Sequence, residues 1–341
     1  MTSQPTIENN GQQAKNWRGW FFGIFAIAGV AGIVFHFGEV QAFAKLVERA
    51  QPFWLMLAIA LQLSTYASVA SGWSVILKQA GSAQPLSKLM RIAVSKLFAD
   101  QAVPSAGMGG NVLLVRQLEA LGVPRSDAVA ALLVSLIGFY AAFAVMAVVM
   151  MLLLWMDHKA TSLMAGVVTA FLFVAFSIPS LALWLRHRGS EPLPPRLERI
   201  APVRMLLELM ADAPSRLVNN TPLILRVTGL NALIFLADSI TLWVCLRAIG
   251  ENAPYTVAFI ALVMAQIVAA IGLVPLGLGS FEATATTMLH LLGMPLESAF
   301  AATMLLRLFT MWLPMLPGLF LMRRSLGSGI KERQAKDVDV S

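Results

Sequence analysis

Glu282 and Arg307 are the charged residues of this sequence best placed to act on a ligand, because each interrupts an otherwise apolar stretch. Glu282 lies in "VPLGLGSFEATATTMLHLLG", which begins at Val274, and Arg307 lies in "MLLRLFTMW". A carboxylate or a guanidinium in apolar surroundings is costly unless it has a partner. We therefore predict that the two residues bind a charged substrate together. The alternative is a salt bridge that only fixes one helix against another.

The residues just before Glu282 are typical of a helix that breaks and then resumes. Pro275, Gly277 and Gly279 end one apolar helix, and Ser280 leads into the next. A new helix start exposes backbone amides that bind phosphate or carboxylate groups, and glycine lets the backbone approach a ligand closely. The alternative is that Ser280 and Glu282 simply cap the second helix.

A similar break occurs earlier, in "SKLFADQAVPSAGMGGNVLLVR", which begins at Ser95. Asp100 follows Lys96 by four positions, so the two side chains share a helical face and either bind substrate or only neutralise each other. Arg116 either holds a lipid phosphate or extends to the headgroup region. The candidate binding residues of this stretch are Asp100, Pro104, Gly107, Gly109, Gly110, Asn111 and Arg116.

Asp238, in "NALIFLADSITLW", is an isolated acid within an apolar run and is predicted to be a proton or cation site or, alternatively, an interhelical hydrogen-bond partner. The four histidines have no metal-ligand spacing, and the single cysteine, Cys245, excludes an intramolecular disulfide. No phosphate-binding loop and no Ser/His/Asp motif is recognisable. We therefore predict no cofactor, no metal and no enzyme activity.

The elements that carry these residues are those of a membrane protein. Of the 341 residues, 58% are hydrophobic and 13% are charged, and roughly 20 apolar helical residues are needed to cross a hydrocarbon core. The sequence therefore predicts an all-α integral membrane protein with about six full transmembrane helices. The predicted crossings are residues 17 to 37, 52 to 78, 127 to 154, 160 to 185, 223 to 249 and 298 to 322. Two stretches broken by proline and glycine, near 86 to 121 and 257 to 293, are predicted to be re-entrant hairpins.

Basic residues predict the topology. They crowd before the first span, in the central loop at 186 to 221 and after the last span, so all three regions are predicted to be cytoplasmic. The chain is thus divided into a tail (1–16), a single transmembrane domain (17–322) and a second tail (323–341). Within the loop, Arg196 to Leu217 forms either an amphipathic helix on the inner leaflet or a plain connector. The net charge of +7 fits lipid headgroups and topology better than nucleic acid.

The two broken stretches belong to an internal repeat. "VPSAGMGGNVLLVRQLEALGVPRSDAVAA", from Val103, aligns without a gap on the stretch that begins at Val274, at an offset of 171 residues. The repeats span about 52 to 154 and 223 to 322, and the charges flanking the two hairpins predict that they enter from opposite sides. Inverted repeats with broken helices are a recurrent architecture of secondary transporters. The matched pairs include Pro104 with Pro275, Gly122 with Gly293 and Pro124 with Pro295.

The sequence resembles the flippase-like transmembrane region found in lysylphosphatidylglycerol synthases and in stand-alone bacterial and archaeal membrane proteins. The resemblance covers roughly 20 to 322 and implies movement of a lipid, which in the best-studied members is an aminoacylated phospholipid. Asn111 stands where that family often has an acid, and the "PSAG" of the first hairpin is similar to a subgroup associated with hopanoid metabolism. We expect no aminoacyltransferase domain after Met322 and therefore no synthesis of lysylphosphatidylglycerol by this chain. The residues that carry the resemblance are Pro275, Gly277, Gly279, Glu282, Gly293, Arg307 and Gly318.

These observations favour a bacterial inner-membrane transporter of a phospholipid or another lipid-linked substrate. Substrate would contact Arg307, the Ser280 to Glu282 helix start and the Gly107 to Asn111 turn. The alternative is a non-transporting, lipid-binding scaffold for a lipid biosynthetic enzyme, and a membrane-embedded transferase is the least favoured of the three. No nucleic acid partner is expected.

Overall fold

A computed structural model describes residues 50–102, 108–158, 161–187, 214–271 and 277–313. The chain divides into two compact units, Met1–Arg49 and Ala50–Ser341, and every described residue belongs to the second. The predicted first span, both tails and residues 188–213 of the central loop, which include most of the predicted amphipathic helix, lie outside the described residues. Within them, every regular element is a helix.

The first repeat consists of four helices, and short connections join them. The first helix begins with proline in its first turn, where the missing N–H is not needed, and it ends at Gly81, whose φ of +88° suits a left-handed C-cap. Among the described residues between the repeats, two further helices follow. In chain order, the elements are α1 (Pro52–Ala80), α2 (Leu86–Ala102), α3 (Met108–Ala120), α4 (Arg125–Met156), α5 (Ser162–His187) and α6 (Ser215–Val218).

The second repeat has the same order of elements. Its first helix is capped by Asn220, whose side chain accepts a hydrogen bond of 3.0 Å from the backbone N–H of Leu223. Its last helix continues without a break into a π-helical turn, Leu308–Trp312. The elements are α7 (Thr221–Ala248), α8 (Tyr255–Ile271), α9 (Ser280–Leu291) and α10 (Leu296–Arg307).

The long helices confirm that the chain is an all-α membrane protein. Three of them, α1, α4 and α7, are long and apolar enough to cross a bilayer, and they coincide with predicted crossings. Shorter apolar segments occupy Ser162–Ser177 of α5 and the whole of α8. The last predicted crossing, 298–322, begins as α10, and residues 314–322 lie outside the described residues.

Both predicted hairpins are pairs of short helices separated by a break. With 12 to 17 residues each, these helices are about 18 to 26 Å long, shorter than a hydrocarbon core of about 30 Å. Helices α2 and α8 both contain 17 residues and both follow a proline, Pro85 or Pro254. The separation of their first residues, Leu86 and Tyr255, is close to the repeat offset of 171 residues.

The two repeats run in opposite directions. The backbone N–H of Gln51, before α1, donates to the carbonyl of Ala248 at the end of α7, at 3.0 Å. Further along, the hydroxyl of Ser68 donates to the carbonyl of Leu230, at 2.7 Å. As the residue number increases along α1, the number of its partner on α7 decreases, so the two helices are antiparallel. Because each is the first helix of its repeat, the repeats are inverted.

The two ends of the helix bundle differ in charge. At one end, the hydroxyl of Ser82 donates to Asp127 at 2.5 Å, and Arg216 reaches the carbonyl of Ala80 at 3.4 Å, which brings the end of α1, the start of α4 and α6 together. The basic residues at or near this end are Lys78, Lys88, Arg91, Arg116, Arg125, Arg216 and Arg226, and the acids there are Glu119 and Asp127. The charged residues at the opposite end are Asp157, Arg247, Glu251 and Glu297.

The first repeat is held by a buried apolar cluster between its helices, α6 and the start of α7. At the contact of α4 with α7, a Cβ on Gly138 would lie 2.8 Å from Cγ1 of Val227. Glycine at this position therefore allows the two long helices to approach each other closely. Members of the cluster include Trp73, Leu89, Leu118, Leu132, Leu217 and Val227.

Candidate functional site

The structure brings Glu282 and Arg307 into contact. Glu282 lies in the first turn of α9, and Arg307 is the last residue of α10. Nε of Arg307 is 2.7 Å from Oε1 of Glu282, and the two side chains are 15% and 16% exposed, respectively. The contact lacks the alignment of a hydrogen bond for Nε, so it is chiefly an attraction between two opposite charges in a mostly buried position.

The second oxygen of Glu282 caps its own helix. Oε2 accepts a hydrogen bond of 2.7 Å from the backbone N–H of Gly279, which precedes α9. Gly279 has a φ of +82°, a conformation that favours glycine. One oxygen of Glu282 therefore caps the helix and the other faces the guanidinium of Arg307, while substrate binding by this pair stays a prediction.

The guanidinium of Arg307 has two further contacts on the same hairpin. Its Cζ lies 4.0 Å from the centre of the Phe281 ring, which is a cation–π arrangement. Its Nη2 is 3.4 Å from the carbonyl oxygen of Gly277, at the long end of the hydrogen-bond range. Phe281 was not identified from the sequence as a partner of Arg307. The only sequence feature that could have identified it is its position next to Glu282.

Glycine is required at position 277 for a steric reason. Its φ is +62°, and a Cβ there would lie 2.6 Å from Cβ of Ala269 on α8. The Ser280 hydroxyl donates to the Gly277 carbonyl at 3.1 Å, which closes the turn. Pro275 lies outside the described residues.

In the first hairpin, Asp100 joins the two helices across the break. Its Oδ2 is 2.7 Å from Nζ of Lys96, and its Oδ1 accepts a hydrogen bond of 3.1 Å from the backbone N–H of Gly110. A Cβ on Gly110 would lie 2.1 Å from Oδ1 of Asp100. The Lys96–Asp100 pair is therefore more than a self-neutralising pair on one helix, because it also caps α3.

The remaining residues predicted for the first hairpin are placed as follows. Asn111 and Gly109 are half-buried near the start of α3, and Arg116 is exposed on its outer surface. Pro104 and Gly107 lie outside the described residues. At the offset of 171, Asn111 occupies the position of Glu282, so the carboxylate that caps the first hairpin comes from the helix before the break instead of the helix after it.

Asp238 lies on α7, on a different helix from either charged pair. Its Oδ1 accepts a hydrogen bond of 3.1 Å from Nε2 of Gln62 on α1. The sequence did not indicate Gln62, because a single amide in an apolar span has no pattern around it. Among the residues that the structure describes, no group of His, Cys, Asp and Glu side chains is arranged to hold a metal ion.

The comparison with known families agrees with this architecture. The model of the lysylphosphatidylglycerol synthase transmembrane region matches residues 20–318. This range includes both hairpins, Asp238 and the Glu282–Arg307 pair. A search of curated proteins found no match. The chain therefore belongs to the family of lysylphosphatidylglycerol synthase transmembrane regions.

Proposed function

We propose that this protein moves a phospholipid or another lipid-linked substrate across the membrane. The observation that carries the proposal is the Glu282–Arg307 pair, which lies at the start of a helix in an interrupted hairpin of an inverted repeat. Family membership supports a lipid-related, flippase-like role. It also supports a non-catalytic one, because the transmembrane region of this family is not the catalytic part.

A negatively charged headgroup would bind by replacing Glu282 as the partner of Arg307. The guanidinium can present two parallel N–H groups to a phosphate, while Glu282 keeps its hydrogen bond to Gly279. The Ser280 hydroxyl and the glycine turn at 277–279 would line the headgroup, and the acyl chains would stay in lipid.

The first hairpin would receive the headgroup on the other side of the membrane. Lys96 and Asp100 form the corresponding charged pair, next to Gly109, Gly110 and Asn111. Arg116, exposed on α3, would attract the phosphate from the lipid surface. Because the repeats are inverted, a rocking motion would open the two hairpins alternately.

The charge difference between the ends of the bundle supports an orientation. Lys78, Lys88 and Arg125 belong to the basic end, which the excess of basic residues in cytoplasmic loops assigns to the cytoplasm. We place the protein in a bacterial inner membrane with both termini in the cytoplasm. A lipid biosynthetic enzyme would be its functional partner on that side.

Lipid translocation in proteoliposomes tests the proposal. The experiment compares the intact protein with Glu282→Gln, Arg307→Gln and the control Glu297→Gln, using headgroup-labelled anionic and zwitterionic lipids. Glu297 is an exposed acid in the first turn of α10. Intact protein and the Glu297 variant should translocate at least one lipid, and each change in the pair should slow this at least tenfold, equivalent to about 1.4 kcal/mol.

The scaffold function makes the opposite prediction for the same variants. Glu282 accepts a hydrogen bond from Gly279 and forms an ion pair with Arg307, and a pair with a purely structural role would make the same two contacts. If the intact, folded protein moves none of the lipids while the two changes weaken its association with a biosynthetic enzyme, the scaffold is favoured and translocation is rejected.

A further inference from the structure

Asp238 ends a short hydrogen-bond network at the crossing of α1 and α7. Nε2 of Gln62 donates both to Oδ1 of Asp238 and to Oγ1 of Thr241, each at 3.1 Å. The Thr241 hydroxyl in turn donates to the carbonyl of Ala237 at 2.8 Å. Gln62 and Thr241 are buried, whereas Asp238 is partly accessible. The network therefore orients one carboxylate that a small ligand can still reach.

The neighbours of Asp238 leave its charge uncompensated. In the part of the chain that the structure describes, its hydrogen-bond partner is the neutral amide of Gln62, and no basic residue forms an ion pair with it. An ionised carboxylate without a cation is costly at membrane depth, and a bound cation or proton removes that cost. Asp238 thus has the environment of a binding site for a small positive ligand.

The surrounding donors fit a proton better than a metal ion. The amide N–H group of Gln62 points at the carboxylate, and this donor end would repel a metal cation. Tyr66 lies one turn beyond Gln62 on α1, and residues four apart share a helical face, so Tyr66 is on the face of α1 that carries Gln62. Its buried hydroxyl has no hydrogen-bond partner among the described residues. A hydroxyl oxygen can accept the hydrogen bond that a protonated carboxyl donates.

Few other titratable groups approach this position from the packed helices. Helix α7 packs against α1, α4, α8 and α10. The hydroxyls of Tyr255 and Ser239, which is next to Asp238, lie 2.7 Å apart. The titratable side chains within the apolar parts of α1, α4 and α8 are Tyr66, Tyr140 and Tyr255. The charged residues of α1, α4 and α10 lie near helix ends and are Lys78, Arg125, Asp127, Glu297 and Arg307.

The location of Asp238 would give a bound ligand access to both membrane faces. Helices α1 and α7 are the equivalent first helices of two inverted repeats, so their crossing is where the repeats meet. A site at such an interface opens to opposite sides when the repeats move against each other. We propose that Asp238 binds a proton and releases it on the other side of the membrane. The proton comes from water at one face, adds to a carboxylate oxygen and leaves to water at the other face.

The proposal that Asp238 binds a proton is based on the contacts between α1 and α7. The further step, in which proton movement drives lipid movement, rests on the proposed function. Infrared spectroscopy of the purified protein in nanodiscs tests the binding step directly, by following the C=O stretch of protonated carboxyl groups during a pH titration. We expect a band that titrates in the intact protein and in the control Glu297→Gln, and that is lost in Asp238→Asn. Sodium should not change it.

Gln62→Leu provides a second test that keeps the acid in place. Because this change removes the hydrogen bond to Oδ1, the pH at which the Asp238 band appears should shift. A band that survives Asp238→Asn, that is unaffected by Gln62→Leu, or that responds to sodium at constant pH would overturn the proposal.

A parallel lipid assay separates the two proposals. Under an imposed pH gradient, lipid translocation by the intact protein should change, and translocation by Asp238→Asn should no longer respond to the gradient. The expected infrared band without any lipid movement would reject the proposed function alone. Lipid movement in a protein that lacks the band would reject proton binding alone.

Discussion

Glu282 shows how one side chain can take two structural roles at once. Its two oxygens have different partners, the backbone N–H of Gly279 and the guanidinium of Arg307. The cap lies within α9, whereas the ion pair joins α9 to α10. A ligand that competes for the guanidinium can therefore break the second contact while the first one keeps the helix start intact.

A double-mutant cycle should reveal the strength of this ion pair. Because both side chains are mostly buried, Glu282→Gln or Arg307→Gln alone leaves one charge without its partner. Unfolding in detergent should show both single variants destabilised and the double variant more stable than the sum of the two effects. We expect a coupling free energy of about 1 to 3 kcal/mol. Additive effects would mean that the two charges do not interact.

Gly110 should be intolerant of even one added carbon atom. A Cβ at this position would lie 2.1 Å from Oδ1 of Asp100, so Gly110→Ala must displace the carboxylate that caps α3. The control is Gly72→Ala in α1, where a Cβ meets nothing within 4 Å. Thermal unfolding should show Gly110→Ala destabilised and Gly72→Ala neutral or stabilised, by up to about 1 kcal/mol from helix propensity. Equal behaviour of the two variants would contradict the close contact.

At the level of helices, each repeat contains a hydrogen bond between a serine and an acid, and the positions of the serine and the acid are exchanged between the two repeats. In the first repeat, a serine before α2 donates to an acid at the start of α4, through Ser82 and Asp127 at 2.5 Å. In the second, a serine at the start of α10 donates to an acid before α8, through Ser298 and Glu251 at 2.5 Å. Each bond anchors the entrance of a hairpin to the helix that follows it.

Both ties should contribute measurably to stability. Ser82→Ala and Ser298→Ala each remove a hydrogen bond to a carboxylate, so each should lower the free energy of unfolding by about 1 to 3 kcal/mol. Ser64→Ala is the matched control, because the exposed Ser64 hydroxyl donates only to Leu61 of its own helix. Chemical unfolding in detergent measures all three. A loss in Ser64→Ala as large as in the other two would indicate a general effect of serine removal.

The sequence predicted the helices better than the contacts of the charged residues. Long apolar runs indicated α1, α4, α5 and α7, and proline with glycine indicated both breaks, because these residues act through local backbone preferences. The bond from Asp100 to Gly110 could not be predicted, since it crosses a break whose geometry depends on the whole hairpin. The π-helical turn after Arg307 had no local signal either.

For the molecule as a whole, the inverted repeat can be tested by labelling from one side. Cys245 is the only cysteine and is fully buried, so Cys245→Ala provides a clean background for single cysteines. Lys88→Cys and Glu297→Cys lie at opposite ends of the bundle, and both native side chains are exposed. A membrane-impermeant maleimide is added to bacterial cells whose outer membrane is permeabilised and whose inner membrane is intact. It should label position 297 but not position 88. Labelling of both positions, or of 88 alone, would contradict the proposed orientation.

The two hairpins are attached differently, and this difference bears on the relative populations of the two orientations of the proposed transporter. Asp100 fastens the two arms of the first hairpin to each other, whereas Arg307 fastens the second hairpin to α10. In the proposed transport cycle, opening toward one membrane face would therefore break different bonds from opening toward the other. A transporter with identical halves would populate its two orientations equally. The unequal bonds would give the proposed transporter a preferred resting orientation, which substrate binding would have to overcome.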